Sequence, residues 1–220
     1  QAFNTRPARL ARFRRDRAHL LAAVSHDLKT PITRLRLRAE LLEDPELKAK
    51  FVHDLDEMET MAQTTLDFLR DANAREPVQP VDVNALIESL QADADELGQQ
   101  LQIDGSAATP YAGRPLALQR CLRNLIDNAV KYGKRATVHT NDNDVRLQII
   151  VADEGPGIPE QQLEQVFEPF FRLEPSRGRE TGGVGLGLSI ARDIARAHGG
   201  DLVLRNRATG GLEAVLTLPR

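Results

Sequence analysis

"AREPVQPVDV", residues 74–83, marks the point where the periodicity of this chain changes. Two prolines in ten residues cannot continue a helix, because proline lacks the N–H and clashes with the preceding turn. Upstream of this stretch, apolar residues recur at helical spacing. Downstream, short alternating runs are interleaved with helical ones. The stretch therefore reads as a linker over 75–83, dividing a helical part at 10–74 from a mixed part at 84–220.

Working back toward the N-terminus, Phe51, Leu55, Met58, Ala62, Thr65 and Leu69 recur at alternating steps of four and three, a heptad seam. Leu21, Val24, Leu28, Ile32, Leu35, Ala39 and Leu42 form a second seam, with one irregular step near Pro31. "EDPEL" (43–47) separates them, with Asp44 as the expected N-cap and Pro45 in the first helical position. Two long amphipathic helices joined by a short turn make a hairpin. A hairpin with two-sided seams cannot bury them alone, so two hairpins are expected to pair as a four-helix bundle in a homodimer.

Toward the C-terminus, helices are expected at Asp82–Leu97, Pro115–Tyr132 and Leu186–His198. Strands are expected at Leu101–Asp104, Ala136–Thr140, Val145–Ala152, Asp201–Arg205 and Glu213–Leu218, with "NDND" and "ATGG" as turns. Strands in hairpins with helices to one side predict a two-layer α/β sandwich rather than a doubly wound sheet. The fold class is α+β: a dimerising helical hairpin, then the sandwich.

Bulk properties narrow the function. Of 220 residues, 41% are hydrophobic and 28% charged, ordinary for a globular protein. No apolar run reaches the roughly 18 residues of a membrane span, and no signal peptide is recognisable. The lone Cys121 excludes an intramolecular disulfide and fits a reducing cytosol. Net charge is −3, but residues 1–38 carry ten Lys/Arg against two Asp/Glu, leaving 19 against 30 elsewhere. A basic end of this kind can bind nucleic acid, yet interleaved aromatics and a reading helix are missing. The cytosolic flank of a preceding membrane helix is the favoured reading, making this the cytoplasmic portion of an inner-membrane protein without a nucleic-acid partner.

Three motifs in the sandwich suggest a nucleotide. "NLIDNAVKYG" (124–133) sets Asn124, Asn128 and Lys131 along one helical face, opposite Leu122, Leu125, Ile126 and Ala129. Asparagine is a poor helix former, so a purely solvated stripe rarely selects it. Its amide oxygen is a hard, neutral ligand for a Mg²⁺ that already carries phosphates, and Lys131 adds positive charge for those phosphates. In "LQIIVADEGPGIP" (147–159) an apolar strand ends on Asp153, whose carboxylate can accept from an exocyclic amine such as adenine's. Gly155 and Gly157 would let the backbone pass close to the base. The alternative is a plain strand-to-turn junction. "TGGVGLGLSI" (181–190) places Gly182, Gly183, Gly185 and Gly187 just before a helix, where free N–H groups and the helix dipole favour phosphate. Between the last two, Phe167, Phe170 and Phe171 are expected to pack as a small core anchoring the Arg-rich loop 172–181.

Taken in order, "SHDLKTP" (25–31), "NLIDNAVKY" (124–132), "DEGPGIP" (153–159), "FEPFFR" (167–172) and "GVGLGLSI" (183–190) resemble the histidine, asparagine, first glycine, phenylalanine and second glycine boxes of bacterial sensor histidine kinases. The likeness covers about residues 10–220, and "RDRAHLLAAVSHDLKTPITRLRLRAE" is most similar to the EnvZ-type osmosensor group. "FNTRPARL" (3–10) resembles the end of a HAMP linker, so 1–9 would be its remnant, although Pro7 departs from an unbroken helix. The resemblance implies a dimeric phosphotransfer hairpin and a Bergerat-type ATP-binding domain. It implies ATP and Mg²⁺ as cofactors, with nucleotide contacts from Asn124, Asn128, Lys131, Tyr132, Asp153, Gly155, Gly157, Ile158, Gly183, Gly185, Leu186, Gly187 and Leu188. Asn128, assisted by Asn124, would hold the metal.

His26 would be the phosphoacceptor. It lies two positions from both Val24 and Leu28, about 160–200° around the helix from each, and so points away from the seam. A neutral imidazole offers one nitrogen as nucleophile when the other keeps the proton, and Asp27 can fix that tautomer. Pro31 removes the hydrogen bond to the carbonyl of Asp27 and loosens the helix beside His26. Thr30 shares this face, and Asp27-x-x-Thr30 resembles the motif with which many such kinases dephosphorylate their regulators. A structural cap before Pro31 is the alternative for Thr30. His19, His53, His139 and His198, with Glu57 and Glu59, are read as structural or solvated. The function implied is ATP-dependent autophosphorylation of His26, transfer to an aspartate of a response regulator receiver domain, and phosphatase activity on that regulator. An ATP-gated conformational machine and a non-enzymatic dimerising scaffold are the rivals. "SHDLKTP" argues against the first and the intact glycine and asparagine motifs against the second.

Overall fold

The computed structural model describes residues 30–71, 76–173 and 184–220. His26, Asp27, Gly183, the seam positions before Thr30 and the expected linker remnant at 1–9 lie outside the described residues. The described chain falls into two compact units, one holding 30–71 and the other 76–173 with 185–220.

In the first unit, helix α1 covers 30–39 and helix α2 covers Pro45–Asp71. Asp44 caps α2 as expected: its Oδ1 accepts from the N–H of Glu46 at 2.9 Å and of Leu47 at 3.2 Å. Pro45 follows at the position where a missing N–H costs nothing. Ile32, Ala39 and Leu55 are buried between the helices, with Leu42 and Val52 packed on them. Arg36 reaches across to Asp56 and Glu59. Three other seam positions behave differently. Leu35, Phe51 and Met58 stay 44%, 48% and 50% exposed in the single chain, so one hairpin covers only part of its own apolar surface.

The second unit begins earlier than expected. Strand β1 (Gln79–Val81) lies inside the stretch read as linker and pairs antiparallel with β3 (Tyr111–Gly113). Val81 and Val83 are buried in the core of this unit. Both strands have three residues, too short for a periodic signal. Pro80 is tolerated because a two-stranded ribbon has only edges. Helix α3 (Val83–Glu96) is capped by Asp82, which accepts from Ala85 N–H.

Strands β2 (Gln100–Gly105), β4 (Arg135–Asp142), β5 (Arg146–Asp153), β6 (Asp201–Asn206) and β7 (Leu212–Pro219) form one sheet in the order β2-β4-β5-β7-β6. Only β2 and β4 run parallel, because helix α4 (Pro115–Gly133) crosses over between them. The other pairings are antiparallel hairpins or neighbours. Helices α3, α4 and α5 (Gly187–Ala197) pack on the face where Leu147, Ile149, Val151, Leu202 and Leu216 are buried. The sandwich has two layers, as the hairpin pattern predicted. At the sheet's end, Arg220 forks onto Asp142 and donates to the carbonyls of Thr109 and Pro110 at 2.9 Å. The guanidinium holds the Asp142 carboxyl below the usual carboxylate range.

α4 and α5 meet through small residues. Cys121 and Ala191 are fully buried at this contact, the thiol 3.5 Å from the Ala191 carbonyl. Burial pushes the Cys121 thiol up to about 12, so thiolate is scarce at neutral pH. Native protein is therefore expected to resist alkylation by iodoacetamide, with labelling appearing only through the unfolding transition in urea. Rapid labelling of native protein would contradict this packing.

Candidate functional site

α4 is the spine of the site. Pro115 opens it with no N–H to satisfy, and the N–H groups of Leu116 and Ala117 donate to the Glu76 carboxylate at 2.7 and 3.0 Å. The Arg114 N–H donates to His198 Nε2 at 3.1 Å, while His198 Nδ1 lies 2.8 Å from the Ile194 carbonyl. His198 thus ties the end of α5 to the start of α4 as the Nδ1–H tautomer. It is structural, as expected, though not solvated.

Along α4, Leu118, Leu122, Leu125, Ile126 and Ala129 are buried, leaving Asn124 and Asn128 half-buried on the flank. That flank faces the start of α5. A Cβ on Gly187 would lie 3.5 Å from Asn124 Oδ1 and 3.7 Å from Asn128 Nδ2. Two motifs some sixty residues apart in sequence therefore meet at one place. Asn124 Nδ2 is buried without a hydrogen-bond partner among the described protein groups. A buried amide donor left unpaired costs about 1–3 kcal/mol, so the position suits a ligand that brings its own acceptor. Lys131 Nζ sits 5.3 Å from the Tyr132 ring in the last turn of α4, and Tyr132 is exposed.

The far end of α4 meets the second motif. A Cβ on Gly133 would strike Asp153 Cβ at 2.5 Å, and one on Gly155 would lie 2.8 Å from the Tyr132 carbonyl. Both glycines are needed for α4 and the end of β5 to approach this closely. Asp153 is buried at 7% exposure. Its Oδ1 accepts from the N–H groups of Gly155 at 2.7 Å and Leu212 at 3.1 Å, so the carboxylate is held in one orientation. From Asn124 to Tyr132 the helix rises about 12 Å, which separates a polar subsite beside Gly187 from a second subsite beside Asp153.

The loop between β5 and α5 differs in part from expectation. Phe167 is buried and Phe171 packs on the core, but Phe170 is 57% exposed with φ +69°. Its N–H donates to the Gly185 carbonyl at 3.0 Å, so Phe170 serves through its backbone rather than its ring. A Cβ on Gly185 (φ +74°) would lie 2.7 Å from the Phe171 carbonyl. Arg192 of α5 lies 4.2 Å over the Phe167 ring and pairs with Glu164 and Asp201. Burial works against the Asp201 carboxylate, but hydrogen bonds from Leu202 N–H, Arg192 and Arg196 outweigh it and hold its pKa low. Leu186, expected among the nucleotide contacts, is only 1% exposed, so its side chain belongs to the core. Leu188 is partly buried against it.

Several contacts in the site come from residues the sequence did not single out. Asn206, at the end of β6, accepts from Ile158 N–H at 2.9 Å and donates to the Ile158 carbonyl at 2.7 Å. Arg207 donates to the Asp153 carbonyl at 2.7 Å. A Cβ on Gly211 would sit 2.0 Å from that same carbonyl. A lone Asn after a strand is ordinary, and only the tertiary fold brings it to the loop.

Residues 113–220 match the family model for histidine kinase-, DNA gyrase B- and HSP90-like ATPases, and residues 16–102 match the His Kinase A phospho-acceptor domain. The chain is 50% identical over its whole length to the sensor histidine kinase GtrS of Pseudomonas aeruginosa, covering 46% of that protein. It is 32% identical to the sensor histidine kinase CpxA of Escherichia coli, over 99% of this chain and 50% of that one. The chain thus spans about half the length of these curated relatives. Among solved structures, full-length ShkA in complex with AMPPNP superposes with a TM-score of 0.68 at 25% identity, over 91% of this chain and 45% of ShkA.

Proposed function

The chain belongs to the sensor histidine kinases, and from that premise we propose that it binds ATP with Mg²⁺ in the α4–α5 site and transfers the γ-phosphoryl group to His26. The convergence of Asn124 and Asn128 on Gly187, around an unpaired buried amide, carries this reading. Asn128 would hold the Mg²⁺. Asn124, expected to assist the metal, is assigned instead to a phosphate oxygen, because its orphaned atom is a donor. A bound Mg²⁺ would supply positive charge against the phosphoryl oxygens. Lys131 adds to that charge from the last turn of α4, and Asp153, its Oδ1 already occupied, keeps Oδ2 to accept from the adenine amine.

In the transfer, an imidazole nitrogen of His26 forms the new bond to phosphorus as the bond to the ADP oxygen breaks. Asp27 accepts from the other ring N–H and steadies the charge that builds there. The phosphoryl group then passes to an aspartate of a response regulator receiver domain. Exposed Leu35, Phe51 and Met58 support a homodimer through the hairpin, since a second copy offers the same apolar surface. Membrane attachment would come through a preceding region, with this part on the cytoplasmic side. Incubation with γ-labelled ATP is expected to leave label that is acid-labile and alkali-stable. Acid-stable label, or none, would overturn the proposal.

Thr30 stands at the start of the described α1, exposed, four positions after His26 in sequence. We assign it to regulator dephosphorylation, where its hydroxyl can aim a water at the aspartyl phosphate. Thr30→Ala is expected to keep autophosphorylation within about three-fold and to lose most phosphatase activity. A merely capping Thr30 would cost stability of ~1 kcal/mol and depress both rates alike. The two rates, measured on one mutant with its phosphorylated regulator, separate these outcomes.

A further inference from the structure

The turn between β6 and β7 holds the Asp153–Ile158 loop from behind. Asn206 meets Ile158 with both ends of its amide, donating to the carbonyl and accepting from the N–H, as a neighbouring strand would. Arg207 takes the Asp153 carbonyl, and Leu212 N–H takes Asp153 Oδ1. Glycine is required at both faces of this contact. A Cβ on Gly157 (φ +75°) would stand 2.6 Å from Asn206 Oδ1, and one on Gly211 (φ +97°) 2.0 Å from the Asp153 carbonyl. Four hydrogen bonds from one turn thus converge on a six-residue loop that has no strand partner of its own beyond Asp153.

We propose that Asn206 is a positioning residue for base recognition: it fixes the peptides on both sides of Ile158, and with them the floor against which a purine lies beside Asp153. This rests on the nucleotide site proposed above and adds to it the residue that sets its base end. The polar subsite at Asn124, Asn128 and Gly187 lies one to two turns back along α4 and shares no hydrogen bond with Asn206 among the described residues. The two ends are therefore separable by mutation. Losing Asn206 should weaken every adenine-bearing ligand by one common factor and leave the Mg²⁺ contribution untouched.

The experiment uses the whole chain and titrates ATP, ADP and adenosine calorimetrically, with ATP measured both with and without Mg²⁺. For Asn206→Ala the loss of two hydrogen bonds is expected to raise all three dissociation constants by about ten-fold. The factor by which Mg²⁺ tightens ATP should stay within two-fold of the wild-type value, on the order of experimental error. Asn206→Asp keeps the shape but sets a carboxylate against the Ile158 carbonyl, and should lose at least as much. Titrations are run well below each variant's unfolding temperature, where a purely structural residue would leave affinity unchanged. Unchanged affinity in the folded Asp variant, or a loss confined to Mg²⁺-ATP, would overturn the assignment. Failure of the wild-type chain to bind ATP at all would instead strike the nucleotide site itself.

Discussion

His26→Gln is expected to abolish the acid-labile label while leaving ATP affinity within about two-fold, because glutamine fills similar space without a nucleophilic nitrogen. The proposed nucleotide subsites are built from α4, the end of β5 and the start of α5, all in the unit that begins at 76. His26 precedes them in sequence, within the residues that match the phospho-acceptor domain. Binding and acceptance of the phosphoryl group should therefore separate cleanly. Folding of the variant is checked by its ATP affinity and by its sedimentation as a dimer. Label at the wild-type level would remove His26 from the mechanism and point to one of the other histidines. Of these, His198 is excluded beforehand, since both its ring nitrogens are engaged, Nε2 by the Arg114 N–H and Nδ1 by the Ile194 carbonyl. His139 has Nδ1 engaged by Asp104 at 2.8 Å on the sheet face away from the helices.

Asn128→Ala is expected to have the second-largest effect, weakening Mg²⁺-ATP by about a hundred-fold, or ~3 kcal/mol, the scale of a lost charge-assisted contact. The loss should be conditional on the metal. Chelating Mg²⁺ should weaken ATP binding by the wild-type chain strongly, yet change that by Asn128→Ala little, so that the two converge. The fold should tolerate the change, because Asn128 is half-buried on the flank of α4 while Leu125, Ile126 and Ala129 supply the core contacts. A further consequence follows if phosphoryl transfer crosses between subunits. Asn128→Ala, which keeps His26, would then be labelled when mixed with His26→Gln, which keeps the nucleotide site. An Asn128→Ala chain binding Mg²⁺-ATP normally would take the residue out of the site.

Periodicity and cap chemistry are local properties, and they read through to the structure nearly residue by residue. Asp44 caps the helix it was expected to cap, Asp82 caps the helix that was expected to begin with it, and α4 starts at Pro115. The α4 stripe was legible for the same reason: 3.6 residues per turn fixes which side chains share a face, whatever packs around them. Short strands escaped because three residues carry no period, so β1 vanished into a proline-rich stretch that reads as a linker. The amphipathic seams fixed which faces of the hairpin are apolar, but which positions a single hairpin buries is a matter of packing. Ile32 and Leu55 are enclosed within it, while Leu35 and Met58 are not.

The site itself divides along the same line. Asn124 and Asn128 stand out in sequence because asparagine is a poor helix former, and Asp153 and the glycines because a carboxylate ends an apolar strand and glycines cluster just before a helix. Their meeting across Gly187 and Gly133 needed the close approach of α4 to α5 and to the end of β5. Asn206, Arg207 and Gly211 had no such mark, since an Asn, an Arg and a Gly suit any surface turn. Only the folding of the β6–β7 turn over residues 153–158 gives them a role, through hydrogen bonds between residues some fifty positions apart. Local sequence determined which residues could do chemistry here; long-range backbone approach decided which of them are held in place to do it.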